Sequence, residues 1–174
     1  MKTIMMKEHP AIKKLEEAFP GVIKKTITAF GETGIVVDKE DLTKVGRFLK
    51  EDNELTFDLL SDLGGVDYQG KKNKRFELVY QLYSTRTHQR LRMKIEVGEN
   101  ESVPTMKSLW KAADWPEREC HEMFGIEFEG HPDLMRLLTI EEFDGFPLRK
   151  DYPLQGKAEI IAGHEGGVQW RKRD

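Results

Sequence analysis

Trp115-Pro116-Glu117-Arg118-Glu119-Cys120-His121-Glu122-Met123-Phe124-Gly125 is followed by Gly130-His131-Pro132-Asp133-Leu134 and then by Pro147-Leu148-Arg149-Lys150-Asp151-Tyr152-Pro153-Leu154. These clusters of charge are punctuated by Pro or Gly and interleaved with large apolar residues. A solvated helix face spreads its charges evenly and needs no such punctuation. A segment built to lie against another surface needs fixed turns, aromatic anchors and charges with specific partners. Glu117, Arg118, Glu119 and Glu122, with Arg136, Arg149, Lys150 and Asp151, therefore read as an interface rather than as surface ion pairs. Trp110, Trp115, Met123, Phe124, Phe128, Phe143, Phe146 and Tyr152 lie among them, and aromatic-flanked Arg and Glu are the composition of buried contact.

Upstream of this segment the pattern is that of an α+β domain. Ile12, Leu15 and Phe19 recur at helical spacing after Pro10, and Pro20-Gly21 ends the helix. Val22 to Phe30 and Ile35 to Asp38 read as strands joined across Gly31–Gly34, a hairpin signal. Asp38 is placed to cap a helix bearing Leu42, Val45, Phe48 and Leu49 on one face. An apolar run from Leu55 to Leu63 stops at Gly64-Gly65. Arg75–Ser84 and Arg90–Val97 alternate apolar and polar residues, the mark of a second hairpin with one face on the core.

After Pro104, residues Met106, Leu109 and Trp110 predict a helix ending near Ala113. Asp114, three residues before Glu117 with Pro116 in the first turn, predicts the start of a second helix that ends at Gly125. The fold expected is α+β: a mixed or antiparallel sheet with two hairpins packed by helices, plus an extended, turn-rich C-terminal segment that wraps a partner. The divisions expected are a core domain over 1–103, signature helices and a clamping extension over 104–155, and a mobile tail over 156–174.

The bounds exclude several function classes. A net charge of −3 argues against nucleic acid. The single cysteine permits no internal disulfide and fits a reducing compartment. The N-terminus lacks the apolar run of a signal peptide, and no stretch reaches the ~20 apolar residues of a membrane span. Gly65–Lys72 nearly spells a P-loop, but Lys72 stands where Ser or Thr must meet magnesium, and a strand follows where a helix should. Glu117, Cys120, His121 and His131 are candidate metal ligands, yet Gly125 occupies the place of a zinc-protease helix's second His. The reading from another class is a free-standing enzyme using Cys120, His121 and His131, with Cys120 as nucleophile beside a badly placed histidine.

The stretch Glu117 to Leu138, with Glu-Arg-Glu, an acid, two large apolar residues, Gly and then His-Pro-Asp-Leu, resembles the signature of the C subunit of NADH:quinone oxidoreductase, respiratory complex I. Asp58–Tyr68, Phe76–Ser84, Pro104–Trp115 and Gly145–Leu154 extend the resemblance outward. The family implies an α/β domain whose C-terminal extension clamps the hydrogenase-like large subunit that forms the quinone site, beside iron–sulfur subunits. It implies a peripheral place on the cytoplasmic face of the bacterial or archaeal membrane, reached only through the complex. It implies no cofactor, metal or catalytic residue in this chain, with FMN, iron–sulfur clusters and quinone held by other subunits. On that reading the interface residues are Trp115, Glu117, Arg118, Glu119, Glu122 and Phe124 on the helix. His131, Asp133 and Arg136 follow it, and Arg149, Lys150, Asp151 and Tyr152 close the segment. The cations would meet a partner's acids and the glutamates its bases.

Three residues depart from the family pattern. His121 stands where Tyr or Trp is usual, Met135 where the first Arg of a pair is usual, and Phe146 in place of a His. Equivalents in membrane-bound hydrogenases, formate hydrogenlyase-type complexes and F420H2 dehydrogenases share the family, and these departures point toward a partner surface that differs too.

Overall fold

The computed structural model describes residues 9–141 and 143–154, together with the backbone of Ala158–Ile161 and Gln169–Lys172. Helix α1 (Pro10–Ala18) leads into β1 (Ile23–Ala29) and β2 (Glu32–Val37). A 3₁₀ turn at Lys39–Asp41 opens α2 (Leu42–Glu51). Strands β3 (Leu59–Asp67), β4 (Phe76–Tyr83) and β5 (Arg90–Val97) follow. These strands form a five-stranded sheet of order β1-β2-β5-β4-β3, antiparallel except where β2 runs parallel to β5. The long connection carrying α2, β3 and β4 separates β2 from β5, which is what a parallel pair requires. The sheet is mixed, with helices packed against it, as the sequence predicts.

Alternation on the central strands sets the core. Leu91, Met93, Ile95 and Val97 of β5 are buried, while Arg92, Lys94 and Glu96 between them are only partly covered. Leu15 of α1, Leu42 and Leu49 of α2, and Leu78 and Tyr80 of β4 join the same cluster. So do Val103, Met106, Trp110, Cys120 and Phe124. One core thus crosses the boundary expected at 103/104, and the signature helix is part of the domain rather than an appendage.

Two local expectations are corrected. Strand β3 does not stop at Gly64-Gly65 but runs through it to Asp67. Gly65 serves close approach: a Cβ there would lie 2.7 Å from the ring of Phe124. The Met106–Trp110 segment is a turn followed by a 3₁₀ helix (Lys111–Ala113), because the Leu109 and Trp110 amides both bond the Met106 carbonyl, at 3.0 and 2.9 Å. Trp110 is then pinned by its indole N–H donating to Phe57 O at 3.0 Å. Helix α3 (Asp114–Phe124) starts and ends where expected, with Ala113 at its N-cap and no side-chain cap bond. Its first-turn carboxylates are used elsewhere, as described below.

Short parallel strands β6 (Ser102–Pro104) and β7 (Glu127–Glu129) bracket α3. Of the tail expected to be mobile, β8 (Ala158–Ile161) and β9 (Gln169–Lys172) form an antiparallel pair. The rest of that tail lies outside the described residues. Among the described residues no helix is long and apolar enough to cross a membrane.

Candidate partner interface

Helix α3 packs its Cys120, Met123 and Phe124 side into the core, and Gly125 ends it in a left-handed conformation (φ 72°). A side chain at Gly125 would be strained and would also meet Arg149 and Phe146, each 2.6 Å from an added Cβ. Two glutamates face inward from this helix. The Glu117 carboxylate is fully buried and accepts from the Met106 amide at 2.7 Å and the Thr105 hydroxyl at 2.5 Å. It therefore ties the start of the helical region to the chain after β6. Burial pushes its pKa above the ordinary glutamate value, and these two bonds offset only part of that.

His131 lies against the same corner. Its side chain is fully buried, with Nε2 3.2 Å from Asp114 Oδ1 and 3.9 Å from Glu117 Oε2. The Asp133 amide donates to its Nδ1 at 3.1 Å. Nε2 faces the two carboxylates without making a hydrogen bond among the described residues. Lys107 completes the group, 2.8 Å from the other Asp114 oxygen.

Glu122, one turn further along α3, shapes the chain beyond it. Its carboxylate accepts from three consecutive amides: Leu137 at 2.7 Å, Leu138 at 3.0 Å and Thr139 at 2.5 Å. The Thr139 hydroxyl donates to it as well. Burial alone would raise the carboxyl's pKa, but these donors outweigh it and hold the group below the ordinary value. Arg118 donates from Nε to the Met135 carbonyl at 2.9 Å, and Arg136 to the Thr139 hydroxyl at 2.8 Å.

The last charged cluster also folds back on its own domain. Arg149 donates to the Phe124 carbonyl at 2.5 Å, and its guanidinium lies 4.4 Å from the Phe146 ring centre. The Lys150 amide donates to Asp67 at 2.8 Å, while Asp151 meets Arg75 at 2.6 Å. Arg75 also pairs with Asp67 at 3.1 Å and Glu99 at 2.8 Å. Tyr152 stacks on Phe143, ring centres 5.8 Å apart. The Arg75 guanidinium holds the Asp151 carboxyl below its usual range.

These placements divide the expected interface. Glu117, Glu122 and Phe124 are buried within the chain, so the two glutamates do not reach a partner's bases; their own backbone and hydroxyl donors use them. Arg149 is likewise used by the Phe124 carbonyl and by Glu99, and Asp151 by Arg75 just before β4. His131 is enclosed and serves the Asp114 corner. Trp115, Glu119, Asp133 and Lys150 remain exposed, and Arg118, Arg136 and Tyr152 partly so. The sequence reading missed a run of large apolar side chains held out into solvent. Met135 is 65 % exposed, Leu138 66 % and Leu148 54 %, beside Trp115 at 68 %, with Ile140 and Leu154 also exposed. Their signal was present as apolar residues in turn-rich chain that no helical or strand period explains. Two of the family departures have local roles: Phe146 stacks with Arg149, and His121 Nδ1 lies 3.0 Å from the Ile126 carbonyl.

Cys120 is buried, and burial pushes its thiol up to about 12, which removes the thiolate a nucleophile needs. Among the described residues no group of three His, Cys, Asp or Glu is arranged to hold a metal ion. Cys120 is thus a small core residue, and His131 packs against Asp114 and Glu117.

The class these features define is a small α+β chain presenting a preformed, partly apolar surface over a polar-braced loop. The family described as respiratory-chain NADH dehydrogenase, 30 Kd subunit, matches residues 35–158. The C 2 subunit of the NADH-quinone oxidoreductase of Rhizobium meliloti (strain 1021) is 46 % identical over 139 residues, 80 % of this chain and 76 % of its own length. The C subunit of the Geotalea uraniireducens (strain Rf4) NADH-quinone oxidoreductase is 43 % identical over 153 residues, 87 % of this chain and 92 % of its own length. Among solved structures, the trypsin-resistant fragment of Nqo5 superposes with a TM-score of 0.62 at 30 % identity, covering 71 % of this chain and 98 % of the fragment. A chain of the membrane-bound sulfane sulfur reductase, an archaeal respiratory membrane complex, gives 0.68 at 25 % identity, covering 82 % and 84 %. The chain belongs to the respiratory-chain NADH dehydrogenase 30 kDa subunit family.

Proposed function

We propose that this chain is a non-catalytic scaffold subunit in the peripheral arm of a proton-translocating NADH:quinone oxidoreductase. Its partner is the hydrogenase-like subunit that forms the quinone site, next to iron–sulfur subunits, and it sits on the cytoplasmic face of the membrane only through them. The names of its relatives support the complex. One observation carries the role: Glu122 binds three consecutive amides and thereby holds Met135, Leu138 and Ile140 outward before any partner arrives. A loop already ordered loses less entropy on docking, so its apolar side chains yield more net affinity. Exposed Trp115 and half-exposed Arg118 beside them are residue types that concentrate binding energy. In this reading FMN, iron–sulfur clusters and quinone are bound by other chains, and electrons do not pass through this one.

The test is affinity capture of tagged chain from detergent-solubilised membranes, with co-purifying subunits identified by mass. Flavin- and NADH-module subunits together with a quinone-site subunit are the expected result. A nickel-containing large subunit with antiporter-like membrane subunits would instead make the chain the counterpart in a membrane-bound hydrogenase, formate hydrogenlyase or F420H2 dehydrogenase. The observation behind this second reading is that a sulfane sulfur reductase complex also contains a chain of this fold. Recovery of the chain alone would overturn the scaffold role. Arg118→Ala should lower the amount of assembled complex while leaving turnover per complex intact; collapse of turnover in fully assembled complex would point to a direct catalytic role.

A further inference from the structure

The β1–β2 hairpin turns on Phe30 and Gly31, which both have positive φ, 54° and 82°. This is the backbone of a type I′ turn, where Asn-Gly fits and a bulky side chain in the first position is strained. The Phe30 side chain is fully exposed, so it adds no packing to offset that strain. The rest of the edge is guarded in the usual way. A bulge interrupts β1 between Ile23 and Lys25, and Lys24 and Lys25 are exposed along it. Bulges and edge lysines discourage the addition of a stray strand. The hairpin is thus protected along its length and carries a bare aromatic ring only at its tip, where the fold alone favours Asn.

We infer that the hairpin tip is a second docking point, which inserts Phe30 into an apolar pocket on another protein chain, with an acidic group of that chain opposite Lys25. This inference uses the proposed function only in placing the chain within a multi-chain assembly. The charge on the partner follows from what is already used on this one. Lys24 is paired with Asp38 at 3.0 Å, whereas Lys25 makes no ion pair among the described residues. Glu32, which flanks the tip, is held by Arg92 at 2.5 Å and so is neutralised toward an acidic rim. A lipid surface fits less well, since binding an anionic bilayer calls for a cluster of basic residues and this edge offers one uncommitted lysine.

The sheet order separates this point from the interface described above. β1 and β3 are opposite edges of the five-stranded sheet, and α3 packs on β3. With neighbouring strands about 4.8 Å apart, the two edges are roughly 19 Å from each other. Phe30 and Trp115 are therefore separate points on the subunit's surface, and the hairpin tip is not part of the α3 side of the sheet.

The experiment places the photoreactive residue p-benzoylphenylalanine at position 30 in one strain and at position 115 in another. Intact membranes are irradiated, and adducts are identified by mass. A protein adduct at position 30 is the expected result. A lipid adduct at position 30, or an adduct at 115 with none at 30, would overturn the inference. Adducts at neither position would remove the assembly reading itself. A paired measurement uses Phe30→Asn. Its Tm should equal or exceed that of the wild-type chain while the yield of assembled complex falls several-fold; a lower Tm would show that Phe30 serves the fold. Lys25→Glu should reduce that yield with Tm unchanged, and an unchanged yield would show that no acidic rim faces Lys25.

Discussion

On the sheet, Glu77 of β4 sits between the ammonium groups of Lys72 and Lys94, 2.7 Å from each. On α3, Glu122 makes no ion pair among the described residues and is held by three amides and a hydroxyl. Both carboxylates are nearly inaccessible, and in both the burial that alone would raise the pKa is outweighed, by cations in one case and by donors in the other. The difference is geometric. A cation on a flexible stem follows a carboxylate wherever the backbone puts it, so the Glu77 cluster braces strands whose path the ladder already sets. A backbone amide cannot move without its chain, so Glu122 dictates the path of residues 137–139. Charge clusters that look alike in the sequence therefore do different work: one stabilises a sheet, the other builds a surface.

The largest expected effect tests the corner that starts the helical region. Glu117→Ala leaves the Met106 amide and Thr105 hydroxyl without their acceptor in a site closed to water, and should lower stability by about 3 kcal/mol in urea unfolding. A loss below about 1 kcal/mol would show that the corner is not tied through Glu117. Next in size, Gly65→Val would force the Phe124 ring away from β3 and should cost about 1–3 kcal/mol, read as a lower Tm.

Glu122→Gln should cost about 1–3 kcal/mol, because an amide side chain offers one acceptor oxygen where the carboxylate offers two. Hydrogen exchange should quicken at Leu137, Leu138 and Thr139 and stay unchanged on β4. Equal loosening of the sheet would erase the distinction between the two carboxylates. By contrast Lys94→Met leaves Glu77 with Lys72 alone, and should cost about 1–2 kcal/mol without altering exchange in the extension.

Acidity separates the two α3 glutamates by sign. The Glu122 carboxyl is depressed in the folded chain, so its contribution is complete above the unfolded value of about 4.3 and disappears as pH falls through the folded one. The wild-type advantage over Glu122→Gln should therefore widen as pH rises toward about 5. The Glu117 carboxyl is raised, so the folded state holds its proton more tightly and loses stability as pH rises above about 4.3. The wild-type advantage over Glu117→Gln should narrow over that range. Two curves with the same slope would refute the assignment of burial as the dominant influence on Glu117.

The sequence by itself determined helices α1, α2 and α3, the strands of the two hairpins and the family. Alternation in Arg90–Val97 and helical spacing in α1 and α2 are local patterns, and each residue's face follows from its own neighbours in the chain. The signature from Glu117 to Leu138 was legible for a similar reason, as a fixed order of residue types. Only the tertiary structure decided which way its charges point. Glu117 and Glu122 lie five positions apart on one helix, so no spacing rule distinguishes a glutamate facing Met106 from one facing a partner. Their donors come from residues 105–106 and 137–139, and a contact across such a gap is invisible to periodicity. The same holds for Gly64-Gly65, which reads as a stop until the ring of Phe124 is seen to need the space at Gly65. The apolar crest at Met135, Leu138 and Leu148 is likewise a product of tertiary structure, because an irregular segment has no face until other residues hold it.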